Sequence, residues 1–288
     1  RSLSSNTTAA SNTAIGVDAL TSNTTGTSNT AVGRDTLNQQ TTASYNTALG
    51  HQALNLNTSG ANNTASGYKA LYANTTGTEN SAFGGYAGLA ITTGDSNTAL
   101  GYAALYTATT ADNNTAIGHM ALKLTTTGAN NTAVGAIAGD AITTGDRNTA
   151  VGYSSLSTAT TADYNTALGA FSLSDNTTGA SNTALGYYAM ALNTTGTENV
   201  AVGAEAFDAN TTGVENVSVG YGALSANTTA SYNTAVGKSS LGSNTTGANN
   251  TAVGKSALAA NVSNGGNTAI GDSALTNSNG GYYNTAVG

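Results

Sequence analysis

The chain has no cysteine, no proline and no tryptophan, and only 7% of its 288 residues are charged, against about 25% in a typical globular domain. Each shortage excludes something. Without Cys there is no disulfide framework, no Cys-ligated zinc and no thiol nucleophile. Seven Lys and Arg against fourteen Asp and Glu leave a formal net charge of −7. That is the wrong sign for a nucleic-acid binder, which needs a basic surface. No run approaches the ~18 consecutive apolar residues of a membrane-spanning helix, and no leader segment is recognisable at Arg1.

What the chain does contain is repetition. The string Asn-Thr-Ala-apolar-Gly recurs with its Gly at Gly16, Gly33, Gly50 and onward to Gly288, always 17 residues apart, in 17 copies. The Asn four residues before that Gly is present in every copy: Asn12, Asn29, Asn46, Asn63, Asn80, Asn97, Asn114, Asn131, Asn148 and so on to Asn284. Numbering this Gly as position 0, position −2 is Ala except at Ser218, and −1 is Ile, Val, Leu or Phe except at Ser66. Position +4 is mostly Leu, +8 and +9 form a Thr-Thr column, and +10 is usually Gly or Ala. Two copies, 84–97 and 135–148, carry Gly88 and Gly139 at +4 and Ile91 and Ile142 three residues later. They lie 51 residues apart, as if a block of three repeats had been duplicated in phase.

A fixed period without insertion or deletion means that each unit stacks on the next in one register. Helical repeats need 33 or more residues, and Gly, Thr and Asn are poor helix formers. The expected fold is therefore all-β: a parallel β-solenoid, or β-roll, of 17 coils forming a single continuous domain over 1–288, a rod of roughly 80 Å at ~4.8 Å per coil. Gly at 0 and at +10 is expected to supply the positive φ of the corners. The Asn column is expected to form a buried ladder, each amide bonding the backbone and the Asn one coil away. The lack of Pro agrees, because every coil must donate its N–H groups to the next. Apart from Arg1, every charged side chain falls at +1, +2, +5, +6, +11 or +12, which marks those positions as exposed turns.

Ala at −2 and the apolar residue at −1 point to opposite faces of a strand, as do the small residue at +3 and Leu at +4 if they are extended. A strand apolar on both faces is normally covered on both. The Ala row, which does not drift as an open column should, is read as the face turned to a partner, the alternative being a flat single-chain solenoid whose interior is so thin that only Ala fits. The expected assembly is a parallel homo-oligomer, a trimer with the small residues near its axis.

These residues resemble known repeats. The N-T-A-[VIL]-G units resemble the head repeats of YadA-like trimeric autotransporter adhesins, in which each chain winds a left-handed β-roll and three chains pack about an axis. The full 17-residue consensus is similar to the repeat shafts of "tail fibre domain" proteins of phages and bacterial surfaces. The resemblance implies an extracellular place, on a cell surface or a virion, and an interior section of a longer fibre. The function it implies is a structural shaft that projects or carries cell-surface adhesion.

Chemistry is sparse. His51 and His119 are isolated, each at a +1 turn, and neither has the neighbours of a metal ligand or a general base. There is no nucleophile elbow and no phosphate loop, so the chain is not read as an enzyme and no cofactor or metal is expected. Asp95 and Asp146, in Thr-Thr-Gly-Asp-x-Asn, have Ca²⁺-compatible oxygens, but ordinary exposed turns account for them more simply. Tyr forms two discontinuous stripes: Tyr68, Tyr102, Tyr153, Tyr187 and Tyr221 at +1, and Tyr45, Tyr164, Tyr232 and Tyr283 at +12. Exposed Tyr suits stacking on a host-surface glycan or protein, and equally suits shielding a corner; both readings stand. The Thr-Thr column allows an ice-binding alternative, weakened because adjacent residues put one row outside and one inside. Asn-Thr-Thr also matches the N-glycosylation acceptor.

Overall fold

The computed structural model describes residues 1–278 and 280–288. It is a parallel β-solenoid with a 17-residue period, and no helix occurs among the described residues. The chain divides into two compact units, Arg1–Asp146 and Arg147–Gly288. In the first, each coil contributes one short strand: β1 (Thr13–Ile15), β2 (Thr30–Val32), β3 (Thr47–Leu49), β4 (Thr64–Ser66), β5 (Ser81–Phe83), β6 (Thr98–Leu100), β7 (Thr115–Ile117) and β8 (Thr132–Val134). The second holds β9 (Thr149–Val151), β10 (Thr166–Leu168), β11 (Thr183–Leu185), β12 (Val200–Val202), β13 (Val217–Val219), β14 (Thr234–Val236), β15 (Thr251–Val253), β16 (Thr268–Ile270) and β17 (Thr285–Val287). Within each unit neighbouring strands pair parallel and in register, Thr over Thr and Ala over Ala.

The strands are only three residues long because the backbone turns left-handed so often. Corner glycines take φ values such as 132° at Gly16, 134° at Gly33 and 123° at Gly50, which an L side chain rarely adopts. Between corners, non-glycine residues at +2, +4 and +12 take φ near 50–60°, as at Asp18, Leu20 and Ser28. The inter-coil hydrogen bonds nevertheless continue around the coil. Thr13 N–H donates to Asn29 O (2.8 Å), Leu20 N–H to Thr36 O (2.9 Å) and Thr24 N–H to Thr41 O (2.9 Å). Proline would remove one such donor wherever it fell.

The second glycine column works differently from the expectation. Gly26, Gly60 and Gly77 at +10 have no positive φ. They are small because a Cβ on Gly26 would run into the carbonyl oxygen of Ala43 in the next coil, and one on Gly60 into that of Gly77, with the amides of Asn23 and Asn57 next nearest at 2.5 and 2.6 Å. Position +10 is thus a close approach between the backbones of successive coils.

The interior also corrects the assignment of faces. The Ala row at −2 points into the coil: Ala31, Ala48, Ala65, Ala116 and Ala184 are all fully buried. Ala at +3 and Leu at +4 are both buried as well, as in Ala19 and Leu20. They do not alternate, because the left-handed φ at +4 breaks the two-residue period of an extended chain. The strand's outward row is instead the larger apolar residue at −1, with Leu49 50% and Leu100 45% exposed.

Burying each Leu contributes about 1.5–3 kcal/mol, which offsets the roughly 1–2 kcal/mol of its left-handed backbone. The two variant coils solve the same packing problem by exchange. A Cβ on Gly88 would sit 2.9 Å from Leu71 Cδ2 and 3.1 Å from Ile91 Cδ1, so Ile91 fills the volume that Leu occupies elsewhere. Gly139 and Ile142 repeat the arrangement against Leu122. Asn74, one coil before Ile91, is left with a buried Oδ1 that has no partner.

Gly88→Leu alone overpacks against Ile91, and Ile91→Asn alone empties the same space, so each is expected to cost about 2 kcal/mol or more. The double variant restores the consensus coil and gives Asn74 an amide partner. A double-mutant cycle by chemical denaturation should show favourable coupling of about 1–3 kcal/mol; additivity would contradict the exchange.

Candidate functional site

The interior site expected from the Asn column is present. In each coil the Asn Oδ1 accepts the backbone N–H of the next Asn, as from Asn29 to Asn12 (2.9 Å), Asn46 to Asn29 (2.9 Å) and Asn182 to Asn165 (3.0 Å). Its Nδ2 generally donates to the +10 carbonyl of the following coil: Asn12 to Gly26 O (2.8 Å), Asn63 to Gly77 O (2.8 Å), Asn80 to Gly94 O (2.7 Å) and Asn97 to Ala111 O (2.7 Å), whereas Asn233 Nδ2 is buried without a partner. Asn114, Asn131 and Asn148 do the same toward Gly128, Gly145 and Ala162. One side chain therefore completes two backbone groups of its neighbour.

A second amide ladder was not singled out from the sequence, although its Asn opens every N-T-T-G segment. Asn57, Asn74, Asn176, Asn193, Asn210 and Asn244 at +7 are buried. Each donates Nδ2 to the +10 carbonyl of its own coil, as in Asn193 to Gly196 O (3.0 Å). Several also donate to the +7 Asn one coil back, as in Asn210 to Asn193 Oδ1 (2.7 Å). Gly196 O is thereby reached by two amides, from Asn182 at 2.8 Å and Asn193 at 3.0 Å. Burial removes these Asn residues from any glycosylating enzyme in the folded coil; Asn6 is exposed.

The acidic turns have structural roles. Asp95 Oδ1 accepts the N–H of Thr78 (2.6 Å), and Asp112 Oδ1 accepts that of Asp95 (2.7 Å). Asp146 Oδ1 does so for Ala129 (2.7 Å). A Ser serves the same purpose elsewhere, with Ser44 Oγ accepting Thr27 N–H at 2.9 Å. These oxygens satisfy a backbone donor of the preceding coil. Among the described residues, no group of three or more His, Asp or Glu is placed to hold a metal ion.

Neither Thr row enters the interior, contrary to the one-in, one-out expectation. Thr at +8 is half-buried on the surface with its hydroxyl donating to the next coil, as in Thr75 to Thr92 O (3.0 Å). Thr at +9, as at Thr76 and Thr93, is exposed. The two hydroxyl columns therefore play different parts.

The Tyr stripes differ from each other. At +12, Tyr45 and Tyr232 stand exposed, and Tyr164 carries Arg147, whose Nη1 donates to the Tyr164 hydroxyl at 2.8 Å. At +1 the residues become continuous through neighbours at +2. His51, Tyr68, Tyr86, Tyr102 and His119 form a ribbon over five coils, with successive ring centroids 5.5, 5.1, 5.8 and 5.7 Å apart. Tyr86, at +2 of a coil that carries Gly85 at +1, closes the gap with φ 60°. Tyr106 at +5 adds a second edge, 6.2 Å from Tyr86. Lys69 Nζ lies 5.5 Å from the Tyr68 centroid and 5.2 Å from that of Tyr72. Tyr86, Tyr102, Ala103, Tyr106, Met120 and Lys123 enclose an open groove of about 370 Å³.

In the second unit, Phe171 joins Tyr153 (5.3 Å) to Tyr188 (4.8 Å), and Tyr187 packs edge-on to Tyr188 (4.5 Å). Tyr221 lies under Lys238, 5.7 Å away. Glu205 and Asp208 lie between the Phe171 cluster and Tyr221. Burial, the dominant cause, and the charge of Glu205 raise the Asp208 pKa above its ordinary value, and Asp208 Oδ1 has no partner. Burial likewise raises Asp140 in the first unit, with nearby Lys123 acting in the opposite direction.

Among the described residues no helix is long and apolar enough to cross a membrane. No protein-family model matches the chain, and no curated protein matches it in sequence.

Asn182→Ala removes the acceptor used by Asn199 N–H and a donor to Gly196 O, leaving buried groups unsatisfied. The expected cost is about 3 kcal/mol or more in chemical denaturation. For Asp208 the sign runs the other way from a salt-bridged carboxylate. A folded pKa above the unfolded value means that acidification adds stability as the pH falls through the folded pKa, the gain being complete below about 4. Asp208→Asn should therefore raise the thermal midpoint at pH 7 and flatten its rise on acidification, followed by circular dichroism.

Proposed function

We propose that this chain is a structural section of an extracellular fibre, assembled from parallel copies of itself, that projects or carries adhesion at a cell surface or virion. The observation that supports it most is the outward row at −1. In the first unit it runs Ile15, Val32, Leu49, Ser66, Phe83, Leu100, Ile117, Val134, and all but Ser66 are apolar. A parallel sheet is ordinarily covered on both faces, and a contiguous apolar row this long marks a contact surface. The −1 row takes over the role first given to Ala, so large side chains line the contact. Three copies is the number that the resemblance to YadA-like repeats implies. Stacked coils joined by two amide ladders suit a load-bearing spacer, because each coil is bonded to the next around its circumference.

Sedimentation velocity on the full chain at micromolar concentration should give about three times the 28.1 kDa chain mass. Leu100→Lys with Phe83→Lys, on the exposed row, should weaken assembly at least tenfold while the circular dichroism of the coil is unchanged. A monomeric wild-type chain would remove the assembly.

A further inference from the structure

The aromatic ribbon of the first unit is flanked by cations and by two acids, Asp35 lying 3.7 Å from His51 and Asp140 beside Lys123. The unit has only two lysines, Lys69 and Lys123, and both belong to the ribbon or its groove. Both histidines of the chain, His51 and His119, form its two ends. This sits in a protein of net charge −7. Tyr102 is 51% exposed and Tyr68 41%, so their rings stand available at the surface. The groove is in the size range of small-ligand sites, with aromatic walls and a few polar groups. Desolvation, and then Tyr68, hold the Tyr86 hydroxyl above its ordinary pKa, so it remains a donor at neutral pH.

We propose that the ribbon His51–Tyr68–Tyr86–Tyr102–His119, with Lys69 and Lys123, binds an acidic polysaccharide whose pyranose rings carry carboxylates. Tyr offers a flat apolar face with a polar tip, which matches the C–H face and hydroxyl rim of a sugar ring. Lys69 and Lys123 lie three coils apart on the +1 to +5 surface, so one extended chain of sugars meets a cation toward each end. A single ring contact is weak, and several in line on a polymer give avidity. A polynucleotide fits less well: two lysines amid net negative charge cannot neutralise a phosphate at every nucleotide. The second unit is an internal control. Its aromatic residues Tyr153, Phe171, Tyr187 and Tyr188 are followed first by Glu205 and Asp208, which repel the same ligand, and Lys238 comes only beyond them, over Tyr221. The inference is independent of the fibre reading and stands or falls on its own test.

Isothermal titration of the full chain with hexagalacturonate, its fully methyl-esterified form, and a thymidine oligonucleotide tests it. Hexagalacturonate should bind, and esterification, which removes the charge and keeps the rings, should weaken binding at least tenfold. Tyr102→Ala and the double variant Lys69→Gln/Lys123→Gln should each weaken it about tenfold, with Tyr187→Ala within twofold of wild type and all circular dichroism spectra unchanged. The proposal is overturned by no binding at millimolar hexagalacturonate, by equal binding of the ester, or by tighter binding of the oligonucleotide. It is equally overturned if Tyr102→Ala lowers the assembly mass in sedimentation, since the ribbon would then be a contact between copies.

Discussion

Each coil depends on a buried carbonyl at +10 that its own backbone ladder does not satisfy. Gly196 O shows the solution, two side-chain amides converging from Asn182 and Asn193 at 2.8 and 3.0 Å. A buried polar group left unpaired costs about 1–3 kcal/mol, so the two Asn columns are tied to the coil path. They also tie the coil to its length, since an inserted residue would carry one amide past its carbonyl and break the stack above it. The invariant 17-residue interval follows from this, while the usual small residue at +10 follows from the close approach of the next coil's carbonyl.

Much of this was legible in the sequence for a physical reason: stacking in register turns a local requirement into a column. The Asn at −4, the corner glycine at 0 and the charged turns could be read because identical chemistry recurs at one interval. The face assignment could not. Period-two alternation applies only to extended backbone, and nothing in the string A-L at +3 and +4 signals that Leu20 or Leu54 will adopt φ near 50°. Once it does, Ala and Leu share the interior and the −1 row is left outside. The Asn at +7 was visible yet easily passed over, because five central coils replace it, with Ile91, Ala108, Thr125, Ile142 and Ala159. The aromatic ribbon was hidden by a shift of one residue. Tyr86 lies at +2 and breaks the +1 column in one dimension, whereas in three dimensions it bridges Tyr68 and Tyr102.

The thin interior shapes the exterior. Ala rows facing Leu rows enclose a narrow core, and a narrow core leaves the strand's other side with a large share of the apolar surface. Outward Val, Ile and Leu then need either a partner or an explanation, while the turns are free to vary. That freedom is where Tyr68, Lys69 and Tyr102 occur, on positions whose backbone bonds between coils but whose side chains the stack does not use.

The left-handed Leu also sorts the aliphatic residues by shape. Branching at Cβ is poorly compatible with φ near +50°, and position +4 holds Leu, Met190, Phe207 or Gly but never Val, Ile or Thr. Only Ile137, half-exposed at +2, breaks that preference among the described left-handed residues. Isoleucine enters the core at residues 91 and 142, each three residues beyond a +4 glycine. The solenoid's inner seam therefore shuns branching at Cβ where its backbone turns left-handed, while the outer rank accepts it, and a redesign that put Val or Ile at +4 would keep the hydrophobicity of that position while unseating the coil.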